Sequence, residues 1–254
     1  MMKKYFICSD IHGHYTEWQD ALKDAGFEIA NPDHHVILCG DLLDRGREPV
    51  RCLQFVVDLL DKNRIVCVRG NHESLLNQCI AKKGFEYHDY SNGTFQTCVD
   101  LIGDNVQPNS HFEQKLLKLV SKFPLWLKYE KSCIDYFETA NHIFVHSWIP
   151  ITPHYRWYEN WRNATFNEWE EARWSNPFIL AFNGFNQTGK CIVFGHWHTS
   201  WIRSKLEERS EQNKSDNEAD FSIYKDDDVK IIGLDACTAY SHKVNVLVLT
   251  EDEI

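Results

Sequence analysis

The sequence predicts an α/β fold, built over its first eighty residues from βαβ units on a mainly parallel sheet. Three observations carry that prediction. Short β-rich runs recur, a segment with helical spacing follows each, and each run ends in a cluster of Asp, His, Asn and Gly. No internal repeat and no Pro/Gly/Ser-rich linker interrupts the 254 residues, so residues 1–254 read as one domain.

The elements follow in order. "KYFIC" (4–8) is a strand, and "TEWQDALKDAG" (16–26) a helix with Thr16 as N-cap and Gly26 as its stop. "HVILC" (35–39) is the second strand, and "EPVRCLQFVVDLLDKN" (48–63) the second helix, with proline near its start. "RIVCV" (64–68) and "ESLLNQCIAKKG" (73–84) repeat the pattern. Residues 85–122 look helical, and "FPLWLKYE", "CIDYFE" and "HIFVHS" read as successive strands. The segments 85–125 and 148–185, the second rich in aromatics, read as cap insertions. "KCIVFGHWH" (190–198) returns to a strand and loop. The charged stretch 204–228, nearly free of aliphatics, reads as an acidic mobile loop. "VKIIGLDA" and "KVNVLVLT" then close the chain as an antiparallel pair of strands.

Composition excludes several classes. Hydrophobic residues make up 43% and charged residues 25%, the balance of a soluble globular protein. No apolar run approaches a membrane span, and the stretch after Lys3 and Lys4 is too short for a signal-peptide core. Nine cysteines without paired spacing, several of them in strand-like runs (Cys8, Cys39, Cys67, Cys191), point to reduced thiols in a cytoplasmic protein. A net charge of −10 with no Lys/Arg block repels a nucleic-acid backbone and argues against polymeric DNA or RNA as substrate.

The strand-end residues form a constellation. They are Asp10 and His12, Asp41 with Asp44 and Arg45, Arg69 with Asn71 and His72, His146, and His196 with His198. Ligands bind at the carboxyl ends of strands in open α/β sheets, so these loops converge. Imidazole and oxygen donors without cysteine suit Mn²⁺, Fe or Zn²⁺. Glu73 reads as a first-turn helix residue favoured by the helix dipole and stands outside this set.

In these motifs the sequence resembles the calcineurin-like metallophosphoesterases, and within them the phosphoprotein phosphatase group in its bacterial form. The motifs stand as "SDIHG", "GDLLDRG", "RGNHE", "VHS" and "GHWH" over residues 5–200, with Ser9 where glycine is usual. The resemblance implies a central β-sandwich of mixed sheets flanked by helices, a four-layer αββα arrangement with a dinuclear metal site at the strand ends. It implies that Asp10 and His12 hold one divalent ion, that Asp41 bridges, and that Asn71, His146 and His196 hold the second. His198 matches a ligand of the wider superfamily at the first ion. Manganese is the expected metal, with iron or zinc as alternatives.

The implied chemistry is in-line attack on phosphorus by a hydroxide bridging the two ions. His72 would protonate the leaving oxygen, Asp44 would orient His72, and Arg45 and Arg69 would hold the phosphoryl oxygens. Arg173 in "EEARWSNP" is the further candidate for the phosphate, with Arg162 and Arg156 as competitors. Seven of the nine tryptophans fall between 148 and 201. They are either packing or an aromatic wall that stacks on a base. On the likeness of "DRG" and "RGNHE" to protein phosphatases, the first-ranked substrate is phosphoserine or phosphothreonine in a protein. The alternative is a small phosphorylated metabolite, a dinucleoside polyphosphate such as diadenosine tetraphosphate. A catalytically inactive binding module ranks last, because every ligand position is filled.

Overall fold

The computed structural model describes residues 2–103, 111–152, 154, 156–209 and 219–254. Two five-stranded sheets lie between layers of helix. The first has the order β10-β1-β2-β3-β4, formed by β1 (Lys4–Cys8), β2 (His34–Cys39), β3 (Ile65–Val68), β4 (Cys133–Ile134) and β10 (Leu247–Thr250). Its strands are parallel except β10, which runs antiparallel to β1. The second has the order β5-β6-β7-β9-β8, formed by β5 (Phe137–Glu138), β6 (His142–Phe144), β7 (Cys191–Phe194), β8 (Tyr224–Asp226) and β9 (Ile231–Gly233).

The central strands β3, β7 and β9 and the C-terminal halves of β1 and β2 are apolar because both faces are covered. Side chains alternate between faces. Along β1, Phe6 and Cys8 join the core under the helices, whereas Ile7 joins the core between the sheets. On β7, Ile192 and Phe194 face the outer helices and Val193 faces the inter-sheet core. The sandwich expected from the resemblance is thus present.

Helices α1 (Tyr15–Asp24), α2 (Pro49–Leu60), α3 (Asn71–Lys82), α4 (Tyr87–Ser91), α5 (Thr94–Ile102), α6 (Phe112–Val120) and α7 (Pro124–Ser132) accompany the first sheet. Buried residues of α5, α6 and α7, among them Cys98, Leu116 and Trp126, share a core with β1–β3. Helices α8 (Phe166–Arg173), α9 (Pro177–Phe182) and α10 (Thr199–Arg209) cover the second sheet through Trp169, Phe178 and Ile202. The two segments read as cap insertions therefore supply parts of the outer helical layers. The short α11 (Thr238–Ser241) precedes β10. No described helix is long and apolar enough to cross a membrane.

Four expectations need correction. "FPLWLKYE" is helix α7, not a strand: Pro124 stands in its first turn, and Trp126 and Tyr129, three apart, bury one face. The closing strands do not pair with each other, because β9 lies between β7 and β8 while β10 adds to the edge of β1. The N-cap of α1 is His14, and Thr16 instead gives its backbone N–H to Glu48 at 3.0 Å. The acidic stretch is not all loop, since it holds the last part of α10 and β8; its residues 210–218 lie outside the described residues.

Candidate metal centre

The predicted residues meet where the two sheets end. After β1, β2 and β7 the chain enters sharp turns in which Asp10, His12, Asp41, Asp44, Arg45 and His196 all take positive φ, between 50° and 73°. Left-handed backbone costs an L-residue roughly 1–2 kcal/mol. Six such residues at one place mark strain held by the surrounding fold and concentrated at a functional site. Glycine is required where these turns pass close together. A Cβ on Gly70 would collide with Asp41 Oδ1, and one on Gly195 with Asp10 Oδ2.

The hydrogen bonds orient the donor atoms. His146 gives Nδ1–H to the Cys39 carbonyl at 3.0 Å, so its Nε2 carries a lone pair. That Nε2 faces Asn71 Oδ1 at 2.7 Å, His196 Nδ1 at 3.2 Å and Asp41 Oδ2 at 3.5 Å. The His196 ring also stands edge to face with the Trp174 indole, 6.2 Å away between centroids. His12 gives Nδ1–H to the Leu43 carbonyl at 3.0 Å, and its Nε2 faces Asp41 Oδ2 at 3.7 Å and Asp10 Oδ1 at 3.9 Å. Asp10 Oδ2 accepts the His196 N–H at 2.9 Å and contacts the Ser9 hydroxyl. Lone pairs aimed at one another from oxygen and nitrogen repel unless a cation stands between them. Two such groups, with Asp41 Oδ2 facing both, fit a pair of divalent ions with nitrogen and oxygen donors.

Charge is arranged to match. Burial lowers the tendency of His12 to protonate, and Arg45 and His72 lower it further; burial and His146 hold His196 down to about 3. Both imidazoles therefore stay neutral, the form that ligates. Burial alone would raise the Asp41 carboxyl, but the facing imidazoles, His146 and then His72 foremost, hold it below the carboxylate range. Burial and the nearby charges of Asp235 and Asp41 push Asp10 well up. Two facing carboxylates in a buried site are what a cation relieves.

The neighbouring groups form a second cluster. His72 Nδ1 meets Asp44 Oδ2 at 2.7 Å, and the same oxygen accepts the Thr94 hydroxyl at 2.7 Å. The Asp44 N–H goes to Thr97 Oγ1 at 3.1 Å, so the start of α5 holds this loop. Burial works against charging His72, and Asp41 and then Asp44 more than offset it, raising its pKa. Arg45, exposed along its stem, reaches inward with Nη1 2.9 Å from His12 Nε2 and Nη2 3.3 Å from His72 Nε2.

Three predicted residues take other positions. His198 belongs to neither donor group; its Nδ1 meets Ser200 Oγ at 2.7 Å. Arg69 turns its guanidinium onto Glu130, 3.0 Å from Oε1 and 3.2 Å from the backbone carbonyl. Arg173, expected to bind phosphate, is buried and ion-paired to Asp135 and Glu170, because a buried guanidinium needs carboxylate partners. Its competitor Arg162 is forked onto Glu138 at 2.6 and 2.7 Å.

Two buried acids border the centre outside the predicted set: Glu73, read as a first-turn helix residue, and Asp235, not singled out. Glu73 is buried and accepts three backbone N–H groups, from Gly70 at 2.8 Å and from Asp41 and Leu42 at 3.0 Å each. It joins the third-motif turn to the second. Its signal was present as a Glu three residues after an N-cap glycine. Asp235 is buried just after β9 and takes the Cys237 N–H at 2.6 Å. An acid closing an apolar strand was the pattern already used for Asp10 and Asp41.

Beside the centre, α3 and α8 enclose a cavity of about 530 Å³ lined by Arg69, Asn77, Gln78, Asn167, Phe166 and Trp174 among others. Trp174 is 48% exposed, and its ring stands at 89° to that of His196, 6.2 Å away between centroids.

Comparison with known proteins agrees with this geometry. The family model for calcineurin-like phosphoesterases matches residues 3–200. The bis(5'-nucleosyl)-tetraphosphatase PrpE (asymmetrical) of Bacillus subtilis strain 168 is 36% identical over 128 residues, 48% of this chain and 51% of that protein. A symmetrical bis(5'-nucleosyl)-tetraphosphatase of Haemophilus ducreyi is 38% identical over 69 residues, 27% of this chain and 24% of that protein. The serine/threonine-protein phosphatase PP1-delta of Caenorhabditis elegans is 35% identical over 69 residues, 26% of this chain and 22% of that protein. The matches thus span about half the length of the first relative and about a quarter of the other two. A crystal structure provisionally described as a diadenosine tetraphosphatase superposes with a TM-score of 0.56 at 15% identity, covering 99% of this chain and 91% of the other. At that identity the likeness concerns the fold.

Proposed function

The chain belongs to the calcineurin-like phosphoesterases, and from that premise we propose that it hydrolyses dinucleoside polyphosphates with two divalent ions held at the centre. The first-ranked expectation, a phosphoserine or phosphothreonine phosphatase, gives way to the alternative. The observation that carries this reading is Trp174, half exposed between the ligand His196 and a cavity of about 530 Å³. That volume suits a small-molecule ligand. The half-exposed indole, with amides from Asn77, Gln78 and Asn167, offers a base a stacking partner and hydrogen-bond partners. The names of the nucleosyl-tetraphosphatase relatives support the same substrate class.

Asp10 and His12 would hold one ion, Asn71, His146 and His196 the other, with Asp41 shared. The ions supply Lewis acidity, lowering the pKa of water and offsetting charge on the transferred phosphoryl group. The chain's own residues supply the rest. Arg45 points a planar fork from solvent into the centre, the geometry that binds non-bridging phosphate oxygens in pairs. His72, oriented by Asp44 through Nδ1, keeps Nε2 turned toward the centre to hand a proton to the leaving nucleotide oxygen. The nine free cysteines support a reducing, cytoplasmic setting.

The test compares kcat/KM in Mn²⁺ for diadenosine tetraphosphate, a phosphothreonine peptide and p-nitrophenyl phosphate, in wild type and Trp174→Ala. The expected result is preference for the dinucleotide, with a loss of about tenfold for that substrate alone in the variant, as stacking on one base would give. Faster peptide turnover, or a variant that loses all three activities equally, defeats the proposal.

A further inference from the structure

Away from the metal centre, one more set of donor atoms converges. Nδ1 of His14 and Nδ1 of His242 stand 3.7 and 3.6 Å from one oxygen, Oε1 of Glu17. Ligand atoms of the three residues all lie within 4.8 Å of one another. These separations are too long for N–H···O hydrogen bonds. They approach the spacing of donors that share a cation: with bonds of about 2.1 Å, tetrahedral neighbours stand about 3.4 Å apart.

The backbone places these residues with purpose. His14 is the N-cap of α1 and Glu17 lies three residues on, so both project from one helix face. His242 follows α11 in the left-handed region, with φ of 54°. The two imidazole rings cross at 77° with centroids 6.0 Å apart, edge toward face, and each presents Nδ1 to Glu17. The His242 side chain is 68% exposed, which leaves the group open to solvent for entry of an ion and for a water as fourth ligand.

We propose that His14, Glu17 and His242 form a third cation site, separate from the two ions of the centre, for a borderline-soft transition metal of the Zn²⁺ class. Two imidazoles and one carboxylate are a zinc-type donor set, whereas Mg²⁺ and Ca²⁺ prefer oxygen. The site has a mechanical meaning. His14 lies two residues beyond the ligand His12, and His242 lies in the segment that follows Asp235 and Cys237. An ion here ties the first-motif turn to the chain that leaves β9, at the border of the centre.

Zinc bound per chain, measured by equilibrium dialysis and elemental analysis of the full chain, tests this. Wild type is expected to hold three equivalents. His242→Ala and Glu17→Gln are expected to hold two, with the affinity of the lost equivalent reduced more than about tenfold. Asp41→Asn, which disrupts the centre, is expected to keep the third. Co²⁺ at this site should give a tetrahedral absorption band that His242→Ala lacks. Circular dichroism of the metal-free variants controls for folding, and the exposure of His242 predicts no change. Equal zinc stoichiometry and affinity in wild type and His242→Ala overturn the proposal. So does an Asp41→Asn chain that holds no zinc, or a weak equivalent that survives both single substitutions.

Discussion

Replacing Glu73 by Gln separates two accounts of one residue by magnitude. As a first-turn acid near a helix dipole, Glu73 would contribute about 0.3–1 kcal/mol. The structure gives it three buried backbone N–H partners, two on Oε2 and one on Oε1. Glutamine keeps one carbonyl oxygen and turns an amide NH₂ toward the third donor. One bond to a charged acceptor is lost, at about 1.5–3 kcal/mol, and a buried N–H is left facing another donor. The sum is about 2–4 kcal/mol. For a domain of this size each kcal/mol moves Tm by about 2–4 °C, so the expected fall is roughly 4–16 °C. Burial and the Asp41 charge raise the Glu73 carboxyl, a repulsion that glutamine relieves and that bound cations also offset. Calorimetry therefore belongs in saturating Mn²⁺, with Mn²⁺ affinity measured alongside, because Glu73 holds the Asp41 backbone. A Tm fall below about 3 °C with unchanged Mn²⁺ affinity refutes the clasp and restores the dipole account.

Asp41→Asn should remove both ions of the centre and all turnover, since Oδ2 faces both donor groups; elemental analysis and activity on the same batch check it. His72→Asn should keep both ions and slow turnover by about 10²–10⁴-fold, read as kcat at saturating substrate. Glu138→Gln should cost about 1 kcal/mol at neutral pH by breaking the fork with Arg162 and the contact with Lys190 at 2.8 Å. Arg162 chiefly, with Lys190, holds the Glu138 carboxyl down to about 2. The fold favours its ionised form, so the contribution is full above about pH 4.5 and disappears as pH falls toward 2. Denaturant melts of wild type and variant should therefore converge as pH falls through that window, and a gap that stays constant contradicts the assignment.

Much of the centre was legible because its donors follow apolar strands directly, and strand ends are readable one sequence at a time. Asp10, His12, Asp41, Asn71, His146 and His196 all came together. The outer contacts were not legible, because they depend on which charges the folded chain sets beside one another. Arg173 looked free beside Trp174, yet Asp135 from a different segment claims it. Arg69 is claimed by Glu130 in the same way. Helix α7 was misread because its apolar residues are dense enough to hide their period, and only Pro124 marked its start. The pairing of β10 with β1 joins the two ends of the described chain, a contact with no local signal.

Trp174 faces two ways. Its ring stands edge to face with that of His196, and its indole borders the cavity. A guest that displaces the indole would shift the imidazole beside it, and with it the aim of the nitrogen proposed to hold the second cation. Thermodynamic reciprocity then applies: whatever factor cavity occupancy applies to cation affinity, cation loading applies equally to the affinity of the guest. Apparent substrate affinities for this chain therefore acquire meaning only beside the free cation concentration at which they were taken.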